Sequence, residues 1–165
     1  DPEVKRICVE NWDKDGDGEL SMEEAAAVSS IGTMFAKRTF TSFKELGFFG
    51  EVIFGSRAFE EVNVSGAIIM PGHCKEVSNG CFFKATVNTI DVPSSVTFLN
   101  STCFMNSNIK NLIFRSKTPP KRYGYWEFQY AQIERIYVPD ESIELYRAVD
   151  WGGKLSFNPL SEYHP

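Results

Sequence analysis

Residues 81–93 read Cys-Phe-Phe-Lys-Ala-Thr-Val-Asn-Thr-Ile-Asp-Val-Pro, and residues 103–115 read Cys-Phe-Met-Asn-Ser-Asn-Ile-Lys-Asn-Leu-Ile-Phe-Arg. The two stretches are one unit repeated after 22 residues: a Cys-Phe pair comes first, and a triplet with apolar first and third residues follows. A period of about 20 to 29 residues with one short strand per unit is typical of a solenoid, in which neighbouring units stack to complete a shared core.

The apolar triplet recurs along most of the chain at spacings of 22, 22 and 24 residues. Its copies are Ile68-Ile69-Met70, Ile90-Asp91-Val92, Leu112-Ile113-Phe114 and Ile136-Tyr137-Val138. A second landmark keeps step with it, since Phe59, Phe82 and Phe104 follow one another at 23 and 22 residues. Because side chains alternate along a strand, we expect about four strands whose first and third triplet residues point inward, beside a ladder of the Phe rings.

The middle residue of each triplet then points away from the core, onto the outward face of the sheet. These residues are Ile69, Asp91, Ile113 and Tyr137. Solenoids bind partners on such extended faces, which makes this row the candidate partner-binding surface. The alternative is that the row consists of strand formers on a solvated sheet, where single exposed apolar side chains are common.

Residues 13–24 read Asp-Lys-Asp-Gly-Asp-Gly-Glu-Leu-Ser-Met-Glu-Glu, which fills every position of a calcium loop of the EF-hand type. Calcium is a hard cation that takes oxygen ligands, and the spacing assigns them as follows. The ligands are Asp13, Asp15, Asp17, the main-chain carbonyl of Glu19, Ser21 and Glu24. The alternative is an acidic turn in which Ser21 and Glu24 cap a helix; it explains those two residues but not the alternating aspartates.

Apolar residues at helical spacing flank the loop and predict helices over residues 3–12 and 22–36. We therefore expect a helix–loop–helix cap over residues 1–42 and a repeat domain over residues 43–165. A short helix over residues 140–150 forms a second cap, and the predicted class is α+β. Calcium sensors usually pair their loops, and only one such loop is present, so a structural calcium ion is expected rather than a switch.

The formal net charge of the 165 residues is −5, and it is unevenly distributed. Residues 1–24 hold nine acidic and three basic residues, so the acidity belongs to the loop region. The absence of a basic stripe argues against nucleic acid as a partner. No apolar run reaches membrane length, and the sequence opens without a signal peptide, as a mature secreted chain also does.

The cysteines and histidines do not form a catalytic or metal-binding pattern. His73 and His164 lie far apart in the sequence, so we expect no enzyme activity. The four cysteines lack the spacing of a zinc or redox motif. Cys81 and Cys103 occupy equivalent places in neighbouring units, which leaves open a disulfide or two small buried residues beside the Phe ladder.

Residues 116–134 interrupt the period and are rich in aromatic residues. Those residues are Tyr123, Tyr125, Trp126, Phe128 and Tyr130. We expect them to cover the end of the solenoid core, because the last unit of a solenoid must be capped. The alternative is a contact surface for a sugar or a protein.

Taken together, these motifs resemble the BspA-like leucine-rich-repeat proteins of Bacteroides and related bacteria. The resemblance rests on residues 13–25, Phe43-Lys44-Glu45-Leu46, Ala58-Phe59, the strand-Pro units, Thr118-Pro119-Pro120, and Ile136-Tyr137-Val138-Pro139 with Tyr146 and Trp151. It implies a short leucine-rich-repeat fold with helical caps. It also implies a secreted or lipid-anchored surface protein, with any anchor in an N-terminal segment that has been removed.

The resulting expectation is a non-enzymatic, extracellular or outer-surface interaction module of the adhesion type, stabilised by one structural calcium ion (Ca2+). Its expected partner is a protein of the host matrix or of a bacterial surface. External calcium is plentiful while cytosolic calcium is scarce, which agrees with that location. The alternative function is a carbohydrate-binding accessory protein that uses the aromatic cluster of residues 123–130.

Overall fold

Short parallel strands recur through the structure, a computed structural model that describes residues 1–124 and 126–165. In chain order the strands are β1 (Ser30–Gly32), β2 (Thr39–Phe40), β3 (Ile53–Phe54), β4 (Asn63–Ile69), β5 (Glu76–Val77), β6 (Thr86–Val92), β7 (Phe98–Leu99), β8 (Asn108–Phe114), β9 (Lys121–Arg122), β10 (Gln132–Val138) and β11 (Phe157–Pro159). The helices are α1 (Pro2–Trp12), α2 (Met22–Ala26) and α3 (Ile143–Arg147). Short 3-10 helices span Lys44–Phe48, Asp140–Ser142 and Leu160–Glu162.

The strands form one front sheet and a divided back wall. The front sheet has the order β11-β10-β8-β6-β4-β2, and all of its neighbours run parallel. The back wall consists of the sheet β5-β7-β9 and the pair β1-β3, also parallel. The chain therefore coils as a β-solenoid of about six turns with helical ends, which confirms the predicted fold class of a short solenoid with helical caps.

The predicted inward pairs of the triplets are buried and belong to one apolar core. Those residues are Ile68, Met70, Ile90, Val92, Leu112, Phe114, Ile136 and Val138. The Phe ladder is also confirmed. The ring centroids of Phe59 and Phe82 lie 5.4 Å apart with an interplanar angle of 6°, and those of Phe82 and Phe104 lie 5.6 Å apart at 2°. Each turn thus adds one ring to a continuous stack.

The ladder is longer than the sequence pattern indicated. Phe35 stacks on Phe59 at 5.7 Å, and Phe128 stacks on Phe104 at 5.3 Å. The expectation that residues 116–134 interrupt the period is therefore wrong, because Phe128 continues it. The estimate of about four strands is also too low for the front sheet, since β2 and β11 add one strand at each edge.

The predicted helix over residues 22–36 is wrong beyond its first turn. Helix α2 ends at Ala26, and Ser30–Gly32 forms strand β1, which pairs in parallel with β3. Gly32 has a φ of +51°, which does not fit a continuing right-handed helix. Val28, Ile31 and Phe35 do have helical spacing, but the strand pairing and the Phe stack override that local preference.

A left-handed residue closes each Phe-containing turn. This residue lies two residues after the ladder Phe and two residues before the next strand of the front sheet. These residues and their φ angles are Lys37 (59°), Glu61 (52°), Lys84 (55°), Asn106 (57°) and Tyr130 (56°). Because a non-Gly residue in this region is uncommon, its recurrence at one place in every unit shows that the stacking of the turns fixes the local backbone.

The two ends of the solenoid are covered by helices. At the start, α1 buries Val4, Ile7 and Cys8 against the first turn. At the other end, the predicted helix over residues 140–150 is shorter, with α3 following a 3-10 turn. Trp151 then meets the last ladder ring, Phe128, edge to face at 5.8 Å. In the part of the chain that the structure describes, no helix has the length and apolar character needed to cross a membrane.

One apolar core joins the caps and the repeats. It runs from Val4 in α1 to Phe157 in β11 without a break in the cluster. The division into a cap over residues 1–42 and a repeat domain over residues 43–165 stays a prediction, although β1 and β2 of the solenoid already lie before residue 43.

Candidate functional site

The acidic loop follows directly after α1 and returns the chain to α2. Asp13 is the last residue of the α1 turn, and Ser21 caps the N-terminus of α2. Gly16 and Gly18 have φ angles of +75° and +83°, which allow the tight turns between the aspartates. The loop is therefore held at both ends by helices that themselves pack on the solenoid.

Three of the predicted ligands converge. Asp13, Asp15 and Asp17 each offer a carboxylate oxygen, and these oxygens lie within 4.8 Å of one another. The Asp13 carboxylate accepts hydrogen bonds from the N–H groups of Gly16 at 2.6 Å and Gly18 at 2.9 Å, which fixes its orientation. Two unit charges at such a separation repel by about 1 kcal/mol even in water, so the arrangement favours a bound cation.

Glu24 and Ser21 bond to each other and to the loop backbone. Ser21 Oγ donates to Glu24 Oε2 at 2.9 Å and accepts from the Glu24 N–H at 3.2 Å, which is a complete capping box. Glu24 also accepts from the N–H groups of Lys14 at 2.6 Å and Ser21 at 2.9 Å. Hydrogen bonds from Lys14 and then Ser21 lower the pKa of Glu24 to about 2.

The loop thus contains both the capping box of Ser21 and Glu24 and the cluster of three aspartates. Glu19 directs its side chain to Lys5 in an exposed ion pair, which leaves its main-chain carbonyl for the predicted role. The chemistry of the donor set fits a hard divalent cation, because it consists of convergent carboxylate oxygens. The full set Asp13, Asp15, Asp17, Glu19, Ser21 and Glu24 remains a prediction.

The cap that carries the loop is fastened to the solenoid by specific contacts. Trp12, next to Asp13, meets Phe49 edge to face at 5.6 Å. At the other end of α1, Asp1 Oδ2 accepts hydrogen bonds from the N–H of Thr41 at 2.8 Å and from its hydroxyl at 2.6 Å. A cation that stiffens the loop would therefore also stiffen the first turn of the solenoid.

The outward face of the front sheet holds the candidate partner-binding row. The register aligns Ile69 with Asp91, Asp91 with Ile113, and Ile113 with Tyr137, so the four residues form one line across the strands. The expectation that they are open to solvent is not met. Ile69 is half-buried, while Asp91, Ile113 and Tyr137 are 8%, 1% and 4% exposed.

Residues 160–165, which we call the covering segment, account for the burial of Tyr137. They follow β11, and the Tyr163 ring lies 5.1 Å from the Tyr137 ring. Ile113 and Tyr137 are buried without belonging to the main apolar core, which places the covered row on the other side of the sheet. Whether the row binds a partner stays a prediction. Sequence patterning did not reveal the covering segment, because Tyr163 does not follow the repeat period.

Asp91 forms the main ion pair of the outward face. Both of its carboxylate oxygens accept from Arg115, from Nε at 2.7 Å and from Nη2 at 2.7 Å. This two-point contact raises the pKa of the Arg115 guanidinium, with the hydrogen bond to Asp91 as the largest cause. The pair shows why a charged residue occupies the middle position of this triplet: its charge is balanced by Arg115 of the next unit.

The aromatic segment divides into core and surface residues. Phe128 belongs to the ladder, so it continues the core, and Trp151 packs on it from the far side. Tyr123, Trp126 and Tyr130 are 70%, 57% and 72% exposed, so they do not cover the core. Tyr125 lies outside the described residues. The exposed rings keep the sugar-contact hypothesis in place.

All four cysteines are free thiols, and each is buried. Burial raises the pKa of Cys8 and Cys81 to about 12 and that of Cys74 to about 11, and it also raises the pKa of Cys103. Cys81 and Cys103 are therefore two small buried residues beside the Phe ladder and do not form a disulfide in the structure. His73 accepts a hydrogen bond from the Val52 N–H at 2.9 Å through Nε2, which is a structural contact.

The parallel front sheet, the Phe ladder and the stacked turns define a leucine-rich-repeat solenoid. Residues 31–149 match the family described as the BspA type leucine rich repeat region, in six copies. The match covers most of the 165 residues, and the chain belongs to this family. No curated protein and no solved structure matches the chain.

Proposed function

We propose that the chain is a surface protein-interaction module of the adhesion type, located outside the cell and stabilised by one calcium ion. The family supports the interaction role, because repeat solenoids of this kind typically serve as binding scaffolds rather than enzymes. The observation that carries the calcium part is the convergence of the Asp13, Asp15 and Asp17 carboxylates within 4.8 Å.

Calcium acts as a structural clip in this proposal. Asp13, Asp15 and Asp17 hold the ion, with Glu19, Ser21 and Glu24 completing the set. The ion neutralises the mutual repulsion of the carboxylates and closes the loop between α1 and α2. Because α1 packs on the first turn, binding of the ion stabilises the folded state as a whole.

Terbium luminescence tests the clip directly. Tb3+ is a hard cation that replaces calcium at oxygen sites, and Trp12, next to Asp13 in sequence, serves as the sensitiser. We expect terbium emission on tryptophan excitation, loss of that emission when calcium is added, and a large reduction in Asp15→Asn. Glu10→Gln, which removes an exposed acid of α1 outside the cluster, serves as the matched control and retains the signal. Equal emission from Asp15→Asn and the unaltered chain would refute the site.

A binding panel tests the interaction role. The purified chain is applied to immobilised extracellular-matrix proteins and to bacterial cells, in calcium and in EDTA. Lys110→Glu alters an exposed residue between Ile109 and Asn111 of β8, on the outward face. Lys121→Glu is the control, since it alters an exposed residue of the back wall. Binding that Lys110→Glu weakens and Lys121→Glu preserves supports the proposal, whereas no binding to any member of the panel contradicts it.

A carbohydrate-binding role is the second candidate, and the exposed rings of Tyr123, Trp126 and Tyr130 favour it. Exposed aromatic rings offer flat apolar surface on which sugar rings can stack. A glycan array probed with the unaltered chain and with Trp126→Ala tests this role. Hits that disappear in Trp126→Ala support it, and an array without hits removes it.

A further inference from the structure

The covered row on the outward face is a second buried cluster of the molecule. Ile113 and Tyr137 are nearly inaccessible, yet they lie outside the main core, on the side of the sheet that the repeats leave open. In a solenoid this side is available to partners. Here the covering segment, residues 160–165, occupies it.

The covering segment is held by an aromatic contact and a hydrogen bond. The Tyr163 ring meets the Tyr137 ring at 5.1 Å and an angle of 60°. The Ser161 N–H donates to Asp140 Oδ1 at 3.0 Å. Strand β11 delivers the segment to this place, because it pairs with β10 through Ile136, Tyr137 and Val138.

The covering segment leaves part of the face open. Beside Tyr163 lies a cavity of about 380 Å³, whose lining includes Ile69, Thr89, Asp91 and Arg115 from the sheet side and Tyr163 and Pro165 from the segment. The cavity therefore continues the surface on which Tyr163 rests. A longer or differently placed segment has room to extend along it toward β4.

Basic side chains outnumber acidic ones on this face, although Nε of Arg135 lies 4.0 Å from the carboxylate of Glu134. Lys44 and Lys110 are exposed, the Arg115 side chain is 48% exposed, and the Arg135 side chain is 59% exposed. Asp91 is already engaged by Arg115. The pKa of Arg135 is raised, first by a hydrogen bond to Tyr137 and to a smaller degree by the charges of Glu134 and Glu162. Glu162 of the segment thus lies within electrostatic reach of this guanidinium.

We propose that the outward face binds extended peptide segments in which an acidic residue is followed directly by an aromatic residue, and that Glu162-Tyr163 is the chain's own copy of this ligand. The inference deepens the interaction function proposed above and depends on it. The aromatic ring packs on Tyr137, and the acid lies within electrostatic reach of Arg135. A partner segment of this chemistry must displace residues 160–165 to reach the row.

Because the covering segment occupies the outward face, it lowers the apparent affinity of that face for a partner. A tethered segment acts at an effective concentration in the millimolar range, so it competes strongly with any free ligand. The apparent affinity for a partner falls with the fraction of molecules in which the face is open. A partner overcomes this competition only if it makes additional contacts, for example in the open cavity, or if it presents many copies of the peptide ligand.

The experiment uses a fluorescent peptide of residues 157–165, Phe-Asn-Pro-Leu-Ser-Glu-Tyr-His-Pro, and fluorescence polarisation. The full chain with Tyr163→Ala has a weakened internal ligand and is the receptor. We expect it to bind the peptide at least about tenfold more tightly than the unaltered chain does. Tyr123→Ala removes an exposed tyrosine outside this face, and this control chain behaves like the unaltered one.

Two peptide variants test the chemistry of recognition. Replacing the tyrosine of the peptide by alanine, or its glutamate by glutamine, weakens binding to the Tyr163→Ala chain. Arg135→Gln in that chain reproduces the loss from the glutamate change without adding to it. Equal peptide affinity for the Tyr163→Ala and unaltered chains, or indifference to both peptide changes, overturns the proposal.

Amide hydrogen exchange, measured on the unaltered chain, tests the same proposal without any substitution. The amide of Ser161 is protected by Asp140 while the covering segment is in place. Peptide at millimolar concentration displaces the segment, so exchange at Ser161 becomes faster; unchanged exchange overturns the proposal. The peptide test needs no natural partner, so its failure refutes the ligand chemistry alone, whereas failure of the binding panel refutes the proposed function.

Discussion

Phe82→Ala removes the central ring of the ladder and should be the most damaging single truncation of the solenoid. Phe82 is fully buried, with Phe59 at 5.4 Å on one side and Phe104 at 5.6 Å on the other. Truncation of a buried Phe costs about 3–5 kcal/mol. We expect about 4–5 kcal/mol, near the upper end, because two stacked aromatic contacts are lost together and each is worth about 0.5–1.5 kcal/mol.

Phe83→Ala is the matched control, since it truncates the same residue type one place along the chain. The Phe83 ring is half-buried and lies against Arg57 and Lys84, each at 5.4 Å from the ring centroid. Exposed contacts of this kind contribute about 0.5–1 kcal/mol each. We expect a total loss of about 1–2 kcal/mol, well below that of Phe82→Ala.

Urea unfolding followed by far-ultraviolet circular dichroism measures both variants. At about 2–4 °C per kcal/mol for a chain of this size, Phe82→Ala should also lower the melting temperature by roughly 8–20 °C. Equal losses in Phe82→Ala and Phe83→Ala would refute the reasoning, because they would mean that the ladder contributes no more than a surface ring does.

Three further predictions concern thiols, pH and the ion pair of the outward face. Thiol reagents should not modify the folded chain but should modify all four cysteines in denaturant, because burial keeps the thiols protonated and inaccessible; rapid labelling of the folded chain speaks against the packing described here. With calcium removed by EDTA, folding lowers the pKa of Glu24 to about 2, so the ionised carboxylate stabilises the folded state above about pH 4.5 and this stabilisation is lost as the pH falls toward 2. Glu24→Gln should therefore reduce the change in the free energy of unfolding between about pH 4.5 and about pH 2. The same change in the variant and the unaltered chain would contradict this. Arg115→Met should cost about 2–3 kcal/mol because it leaves the buried Asp91 carboxylate unpaired, whereas Asp91→Asn should cost about 1 kcal/mol because Arg115 can reach water. Urea unfolding compares the two, and the reverse order would argue against the assigned burial.

The sequence predicted the middle of the solenoid because its period is regular there. The first three triplets, and Phe59, Phe82 and Phe104, repeat at 22 or 23 residues, so one pattern describes three turns. Phe35 and Phe128 each lie 24 residues from their neighbour in the ladder, and Phe35 also falls in the stretch whose apolar spacing predicts a helix. Phe128 also lies among exposed aromatic residues, which conceal its role in the core.

Two features depended on tertiary contacts that local patterns do not encode. Residues 27–36 have helical spacing of their apolar residues, but pairing of β1 with β3 decides their conformation. The outward row alternates as expected, and the burial of Tyr137 in it comes from the covering segment, residues 160–165, which follows β11. Nothing in the triplets indicates this packing, so the sequence predicts the row but not the segment that covers Tyr137.

The acidic loop was predictable in composition but only partly in geometry. The three aspartates converge because alternate loop positions and two left-handed glycines fold them inward. Ser21 and Glu24 also form the capping box, so both readings of the sequence describe the same loop. A calcium ion would take its ligands from this arrangement. The alternating aspartates are the part of the loop that the capping box does not explain.

The measurement that tests the central claim most directly is a melting scan of the EDTA-stripped chain with and without calcium. External calcium sites bind with a dissociation constant of about 10⁻⁴ to 10⁻³ M, so about 10 mM calcium stabilises the fold by roughly 1.4–2.7 kcal/mol. The predicted rise in melting temperature is about 3–10 °C, and it disappears in Asp15→Asn. No rise in the unaltered chain, or an equal rise in Asp15→Asn, would contradict the account of a calcium-clipped solenoid.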